Sequence, residues 1–163
     1  NPTNSGDTYF MLRHGPVAAV VLDAGEDKPD DNKEYSGAVD FDLFRQQQVE
    51  WLKEAVKDPL FAKAPVKVAI MHIPAFNAER SWYGDKKANE MLVPVLNKAG
   101  VDIMLSGHYH RHVIAEKGQF GNDFPILAND NVSRLDFYSE GKGYQIRIYD
   151  MEGKLVKSID VEK

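Results

Sequence analysis

Two stretches of the sequence decide the fold: Val66-Lys67-Val68-Ala69-Ile70-Met71-His72-Ile73-Pro74 and Val101-Asp102-Ile103-Met104-Leu105-Ser106-Gly107-His108-Tyr109-His110. Their apolar parts, Val66–Met71 and Val101–Leu105, are typical of strands that are buried on both faces. Between them the sequence predicts a helix over about Asp85–Ala99, with a glycine as its C-cap. A strand, a helix and a second strand in this order indicate parallel strands joined by a crossover helix.

The amino-terminal part of the chain predicts two more strands and one more helix. The apolar segments Thr8–Arg13 and Val17–Asp23 are expected to be strands joined by a tight turn. The polar segment Glu26–Val39 predicts a long solvated loop. Apolar residues recur at helical spacing over Phe41–Lys57, and we expect Asp58-Pro59 to stop that helix.

The last third of the chain changes to short strand-like segments separated by Gly and Asn turns. These segments are His112–Glu116, Pro125–Ala128, Ser133–Tyr138, Tyr144–Asp150 and Leu155–Val161. They predict a meander, so the expected fold class is α/β, with a mixed sheet and an antiparallel β-rich tail. No repeat or linker divides the sequence, and we expect a single domain over residues 1–163.

Composition and charge exclude several classes of protein. The 163 residues are 43% apolar and 28% charged, which is typical of a folded globular domain. The net charge of −5, from 20 basic and 25 acidic residues, disfavours binding to a nucleic-acid backbone. Because there is no cysteine, disulfides, cysteine-bound zinc and thiol nucleophiles are excluded. No window approaches the roughly 18 apolar residues of a membrane span, so we expect no membrane partner.

Three histidines follow the two buried strands. His72 comes directly after the first strand, and His108 and His110 follow the second. The carboxyl ends of parallel strands meet at one edge of a sheet, and imidazole is the commonest metal ligand in proteins. If the backbone after the second strand stays extended, His108 and His110 point to the same side. We therefore predict a metal site formed by these three residues.

A histidine that follows a strand also has a simpler interpretation, as a hydrogen-bonded structural residue. We apply this interpretation to His14, and we interpret His112 either in the same way or as a residue that supports a metal ligand. Three histidines alone are enough to hold one zinc ion with an open position, as in some catalytic sites. Ligand softness does not distinguish zinc, manganese and iron here.

Taken together, these motifs resemble a known enzyme family. The strand running into His72-Ile73-Pro74 and the later strand running into Gly107-His108-Tyr109-His110 are similar to the second half of a calcineurin-like metallophosphoesterase. The purple acid phosphatase-like branch is the most similar. Gln48 with Trp51-Leu52 resembles the Gln-x-x-Trp-Leu helix of that branch, and Val20–Asp23 resembles the strand before it. The similarity runs over roughly residues 8 to 115.

The resemblance implies a fold, a reaction and a cofactor. It implies the C-terminal half of an α/β/β/α sandwich. It also implies hydrolysis of a small-molecule phosphate ester with two divalent or trivalent metal ions, zinc, manganese or iron. By this analogy His72 and His108 bind one ion and His110 binds the other. Many relatives are secreted, so the resemblance allows a secreted or periplasmic location, which the sequence itself does not fix.

Three motifs that this family places earlier in the chain do not occur in the sequence: Asp-x-His, Gly-Asp-x-x-Asp and Gly-Asn-His-Asp/Glu. They would supply the bridging aspartate, the remaining metal ligands and the histidine that protonates the leaving group. We therefore expect this chain to be the C-terminal half of a larger enzyme, and to be inactive or a very poor phosphatase by itself. Its missing partner would be the N-terminal half of the same domain. Sheet edges left open by missing strands predict self-association into a homo-oligomer.

The segment that follows His72 is where contacts to the substrate are expected. Arg80 can bind phosphate through two guanidinium nitrogens, and Trp82 or Tyr83 can stack on an aromatic leaving group. A plain surface loop is an equally simple interpretation. For the acidic run Glu26–Asp31 we prefer a solvated loop to a calcium site, because the spacing of an EF-hand is absent.

Two other functions are compatible with the sequence. In the first, the chain is a non-catalytic module whose tail binds a partner or a polysaccharide through aromatic residues. At alternating strand positions such residues more often belong to a core. These residues are Phe120, Phe124, Phe137, Tyr138, Tyr144 and Tyr149. In the second, the three histidines form a complete single-zinc hydrolase, which would be active without a missing half.

Overall fold

Strands and helices follow one another in the order that the apolar runs predict. A computed structural model describes residues 8–163. Its elements are β1 (Phe10–His14), β2 (Val17–Leu22), α1 (Phe41–Ala55), α2 (Pro59–Ala62), β3 (Val66–Met71), α3 (Tyr83–Ala99), β4 (Ile103–Ser106), β5 (Val113–Ala115), β6 (Ile126–Ala128), β7 (Ser133–Tyr138), β8 (Gly143–Asp150) and β9 (Leu155–Glu162). None of the described helices is long and apolar enough to cross a membrane.

Six strands form a mixed sheet that carries the predicted site. Their order is β1-β2-β3-β4-β6-β5. Strands β2, β3, β4 and β6 are parallel, whereas β1 and β5 are antiparallel at the two edges. The crossovers between β2, β3 and β4 are helical, as the alternation predicts. The carboxyl ends of β3 and β4 therefore lie next to each other at one edge of the sheet.

A second sheet, β7-β8-β9, packs on the face of the first sheet that is opposite the helices. The core on the helix side includes Leu52, Leu92 and Met104, and the core between the sheets includes Val66 and Ile146, all of them buried. The predicted α/β class, with a mixed sheet and an antiparallel tail, is confirmed. Residues 8–163 show three layers, α/β/β, of the implied sandwich.

Both long helices have boundaries that differ from the prediction. Helix α1 ends at Ala55, and Asp58 does not act only as a stop, because its carboxylate accepts a hydrogen bond from the Leu60 amide at 2.8 Å and caps α2. Helix α3 begins at Tyr83, two residues before the predicted start. The reason is that the carboxylate of Asp85 accepts a hydrogen bond from the Trp82 amide at 3.1 Å, which closes an earlier first turn.

Hydrogen bonds tie the start of the polar loop before α1 to that helix. Arg45 of α1 is only 1% exposed, and its guanidinium donates to the carbonyl oxygens of Ala24 at 2.8 Å and Glu26 at 2.7 Å. It also pairs with Asp42 at 2.9 Å. None of residues 26–39 is buried, in agreement with the predicted solvated loop, and the buried arginine holds the backbone at the start of that loop against the helix. Asp30 adds to this by accepting from two amides in the first turn of α1.

A buried carboxylate ties α3 to the turn that follows β4. Asp85 is fully buried, and the hydroxyl of Tyr109 donates to its Oδ2, while its Oδ1 has no hydrogen-bond partner among the described residues. Burial raises the pKa of Asp85, and the hydrogen bonds from Tyr109 and the Trp82 amide oppose that rise. Burial and the bond to Asp85 also raise the pKa of Tyr109. Asp85 therefore fixes the side chain of Tyr109, the residue between His108 and His110.

Replacing Arg45 by methionine should destabilise the fold. The change leaves the carbonyl groups of Ala24 and Glu26 without their donor, and an unsatisfied buried acceptor costs about 1–3 kcal/mol. Urea denaturation should show a free energy of unfolding that is lower by about 2 kcal/mol. The control is Lys53→Met, which removes an exposed ion pair with Glu50 and should leave stability nearly unchanged. Equal losses in the two variants would contradict this role of Arg45.

Replacing Asp85 by asparagine should change how stability depends on pH. Because folding raises the pKa of Asp85, the stability linked to this group is fully present below the ordinary carboxyl pKa. It is lost as the pH rises through the raised value. The unmodified chain should therefore lose this part of its stability as the pH rises above about 4, and Asp85→Asn should not. Chemical denaturation of both chains across that range measures the difference. A constant difference in unfolding free energy would show that Asp85 does not titrate there.

Candidate metal centre

Two of the three predicted histidines come together at the carboxyl ends of β3 and β4. The two strands are paired in parallel, with Ile70 opposite Leu105, so His72 and His108 leave the sheet side by side. Their ring centroids are 5.3 Å apart and the ring planes are 84° from parallel. The Gly107 amide donates to the His72 carbonyl at 3.0 Å, which extends the strand pairing up to the site. Two imidazoles at this separation are suited to bind one metal ion.

The turn after β4 is not extended. His108 has a φ of 70° and His110 a φ of 52°, and both values lie in the left-handed region. The extended backbone under which both rings were expected to point to the same side is therefore not formed, because each left-handed residue changes the direction of the chain. In the part of the chain that the structure describes, no three His, Asp or Glu side chains are grouped so that they could hold a metal ion. His110 thus does not join the other two in a three-ligand site.

Asp130 lies at the end of another parallel strand, β6, and sequence reasoning did not single it out. Its carboxylate is 3.1 Å from Nε2 of His112, the histidine interpreted as structural. A hydrogen bond from the Ser133 hydroxyl is the main cause that lowers the pKa of Asp130, and the nearby His112 adds to it. The same rule that selected His72, an apolar strand running into a polar side chain, also applies to Asp130 after Ile126–Ala128.

The three predicted substrate contacts are divided between two places. Arg80 and Trp82 line a cavity of about 680 Å³ together with His108. Tyr83 faces α1, where its hydroxyl donates to Asp42 at 2.6 Å. Burial, with this hydrogen bond, raises the pKa of Tyr83 to about 12. Arg80 and Trp82 are thus placed near the histidine pair, whereas Tyr83 fastens the first turn of α3 to α1.

A gap between the two sheets adjoins His72, one member of the histidine pair. On the inner face of β3, Val66 and Val68 are 0% and 2% exposed, whereas Ile70 is 39% exposed. An apolar cavity of about 350 Å³ opens there and reaches His72. The Ser106 hydroxyl in its wall is buried and has no hydrogen-bond partner among residues 8–163. The second sheet therefore covers the amino end of β3 and leaves its carboxyl end open.

The described residues fit one part of a metal centre. His72 and His108 can provide two nitrogen ligands to one ion, which is fewer than the three protein ligands typical of catalytic zinc. A centre with two ions needs more ligands than residues 8–163 bring together. Residues 8–163 alone therefore do not bring together enough ligands for a centre with two metal ions.

The aromatic residues of the tail do not form one exposed face. Phe124 and Tyr144 are buried, and Phe137 stacks on Tyr144 with ring centroids 5.4 Å apart in the core between the sheets. Tyr138 is half exposed on the second sheet. Phe120 also packs against the core on the helix side, so core packing accounts for four of the six residues considered as a binding face.

Known proteins with similar sequences point to one family. The profile of the family described as calcineurin-like phosphoesterase matches residues 3–112. Probable purple acid phosphatase 20 of Arabidopsis thaliana is 32% identical over 69 residues, which cover 40% of this chain and 16% of that protein. Purple acid phosphatase 18 of the same plant is 23% identical over 124 residues, which cover 75% of this chain and 25% of that protein. The chain thus spans a quarter or less of these relatives.

Solved structures share the fold. Purple acid phosphatase PPD1 from yellow lupin seeds superposes with a TM-score of 0.68 at 10% identity, covering 98% of this chain and 33% of that chain. GAP50, the anchor in the inner membrane complex of Plasmodium, superposes with a TM-score of 0.60 at 12% identity, covering 94% of this chain and 53% of that chain. These structures support the fold alone, and the profile that matches more than half of the sequence supports the family. The chain belongs to the calcineurin-like phosphoesterase family.

Proposed function

We propose that the chain contributes the carboxyl-terminal part of a metal-dependent site that hydrolyses a small-molecule phosphate ester. The observation that carries this proposal is the close pair of His72 and His108 at the ends of β3 and β4, in a chain of this family. In the proposal these two residues bind one metal ion and His110 binds a second, each ion being zinc, manganese or iron. Metal ions held there would supply Lewis acidity toward the phosphate ester.

This chain's own side chains would bind and orient the ester. Arg80 lies in the cavity wall with His108 and offers a guanidinium whose geometry matches the oxygens of an anionic group of the ester. Trp82, 52% exposed in the same wall, offers a ring face to the leaving group. Tyr83 stays a predicted contact of the substrate. Its hydrogen bond to Asp42 fixes the start of α3, which directly follows Arg80 and Trp82 in the chain.

We infer that the remaining ligands come from outside residues 8–163. The sequence lacks the three motifs that the family places earlier, and the inner face of β3 opens toward His72. Further strands packed against Ile70 would cover this face and deliver side chains beside the histidine pair. The proposed partner is the N-terminal half of the domain, and without it the chain is inactive or a very poor phosphatase. A secreted or periplasmic location also stays a prediction from the family.

The same uncovered face supports self-association of the isolated chain. Leu12 and Ile70, 40% and 39% exposed, are large apolar side chains on strands of the first sheet. Strands β7 and β9 are the two edges of the second sheet, and each leaves backbone groups open to another strand. Two copies can cover these surfaces when no other strand does.

Metal titration tests the ligand assignment. Isothermal titration with Zn²⁺ or Mn²⁺ should give one weakly bound ion per chain, because two imidazoles form an incomplete ligand set. His72→Ala and His108→Ala should each abolish binding. The control is His14→Ala, which removes an exposed histidine at the opposite end of the sheet, opposite Val17 in β2.

The same titration can overturn the proposal. Two tightly bound ions per chain, or turnover of 4-nitrophenyl phosphate by the chain alone, would show that the ligand set is complete. Turnover that needs one ion and is lost in His110→Ala would favour the single-zinc hydrolase. No binding of either metal would remove the histidine pair as a ligand set.

Sedimentation velocity tests the uncovered face. The unmodified chain should form dimers or larger oligomers at micromolar concentration, and Ile70→Lys should shift it to monomer by placing a charge on the apolar face. The control is Met151→Lys, at a hairpin tip where the side chain is 78% exposed, which should leave the oligomer intact. A monomeric unmodified chain would refute self-association.

A further inference from the structure

The cavity beside His108 has an aromatic floor that the proposed metal ligation does not use. Phe76, Tyr109 and Phe120 form this floor, with ring centroids 5.4 Å apart between Phe76 and Tyr109 and 5.5 Å apart between Phe76 and Phe120. Phe76 is buried and anchors the group in the core. Tyr109 is held in place because its hydroxyl donates to Asp85. A fixed floor of this kind suits a flat apolar ring.

Two arginines line the cavity, and no carboxylate neutralises either of them within residues 8–163. Arg80 and Arg111 are both exposed, and the structure gives neither of them an ion pair there. Arg111 lies 5.9 Å from the ring centroid of Tyr109, which keeps its guanidinium near the floor. The acidic residue in the wall, Asp27, is 3.1 Å from the ammonium of Lys28, so its charge is already paired. The cavity therefore combines an apolar floor with an unpaired positive charge.

We propose that this cavity binds the organic part of the substrate, and that this part is an aromatic ring bearing a second anionic group. In this arrangement the ester phosphate lies toward His108, the ring lies on Phe76, Tyr109 and Phe120, and the second anion binds Arg80 and Arg111. The inference rests on the proposed function for the reacting phosphate. A volume of about 680 Å³ is within the range of small-molecule sites and accommodates one aromatic ring with two substituents.

Because the two arginines are positively charged, a second anionic group should distinguish the preferred ligand from other aromatic phosphate esters. A hydrogen bond between a guanidinium and a carboxylate or phosphate is stronger than one between neutral groups, and arginine forms such bonds in pairs. A ligand with a ring but no second anion would use the floor and leave one guanidinium or both in water. The two arginines would therefore select between phosphate esters that are otherwise alike.

A titration of the whole chain with two esters that differ in one group tests this inference. Phenyl phosphate and 4-carboxyphenyl phosphate are added to the isotope-labelled chain in EDTA, and amide chemical shifts give the dissociation constant and the place of binding. The carboxylated ester should bind about tenfold more tightly, as expected for a charge-assisted hydrogen bond. Its shifts should centre on Phe76, Tyr109 and Phe120.

Four arginine variants give the matched comparison. Arg80→Gln and Arg111→Gln should each reduce the preference for the carboxylated ester, and the double variant should abolish it. Arg134→Gln removes the same charge from the second sheet, where Arg134 stacks on Tyr149 with its guanidinium carbon 4.9 Å from the ring centroid. This control should keep the full preference. Because Arg80 and Arg111 are exposed, unchanged amide spectra of the free variants confirm that the fold is intact.

Several results would overturn the inference. Equal affinity for the two esters, a preference that survives in the double arginine variant, or shifts centred away from the aromatic floor would each do so. Since EDTA removes metal ions, the titration does not depend on the histidine ligands. Failure of metal binding with an intact ester preference would refute the proposed function and leave the cavity site standing, and the converse pattern would refute the cavity site alone.

Discussion

The parallel pairing of β3 with β4 is the constraint on which the rest of the site depends. Val68, Ala69 and Ile70 lie opposite Ile103, Met104 and Leu105. This register is fixed from both faces, because alternate residues of each strand enter the core on the helix side and the core between the sheets. A slip by one residue would move each side chain of a strand to the wrong face. The nearness of His72 and His108 is therefore set by the packing below them and not by any contact between the rings.

This constraint explains why the centre of the fold can be predicted from sequence. A strand buried on both faces must be apolar at nearly every position, and Val66–Met71 carries that signal without any tertiary information. The place of His72 follows from it, because parallel strands end at a common edge. The same rule would also have predicted Asp130, which follows the apolar strand Ile126–Ala128, had carboxylates been considered together with histidines.

Other features depend on contacts that no local pattern encodes. Arg45 bonds to carbonyl groups about twenty residues earlier in the chain. Its position shares a helix face with the buried Gln48 and Leu52, but its charge alone suggests a solvent-facing residue. Asp85 and Tyr109 are 24 residues apart, so their hydrogen bond is visible only in the folded chain. The position of His110 was missed for a different reason. Left-handed backbone is expected at glycine, and here it occurs at two histidines that follow a glycine.

The left-handed conformations at His108 and His110 set stability against function at the same two positions. A residue with a side chain loses about 1–2 kcal/mol in this region relative to glycine, so glycine at either position would relieve the backbone. It would also remove an imidazole that the proposed site requires. A screen of random variants for thermal stability alone would therefore be expected to accept glycine at both positions and so to eliminate the histidines. Selection that keeps them must act on something other than the stability of this chain.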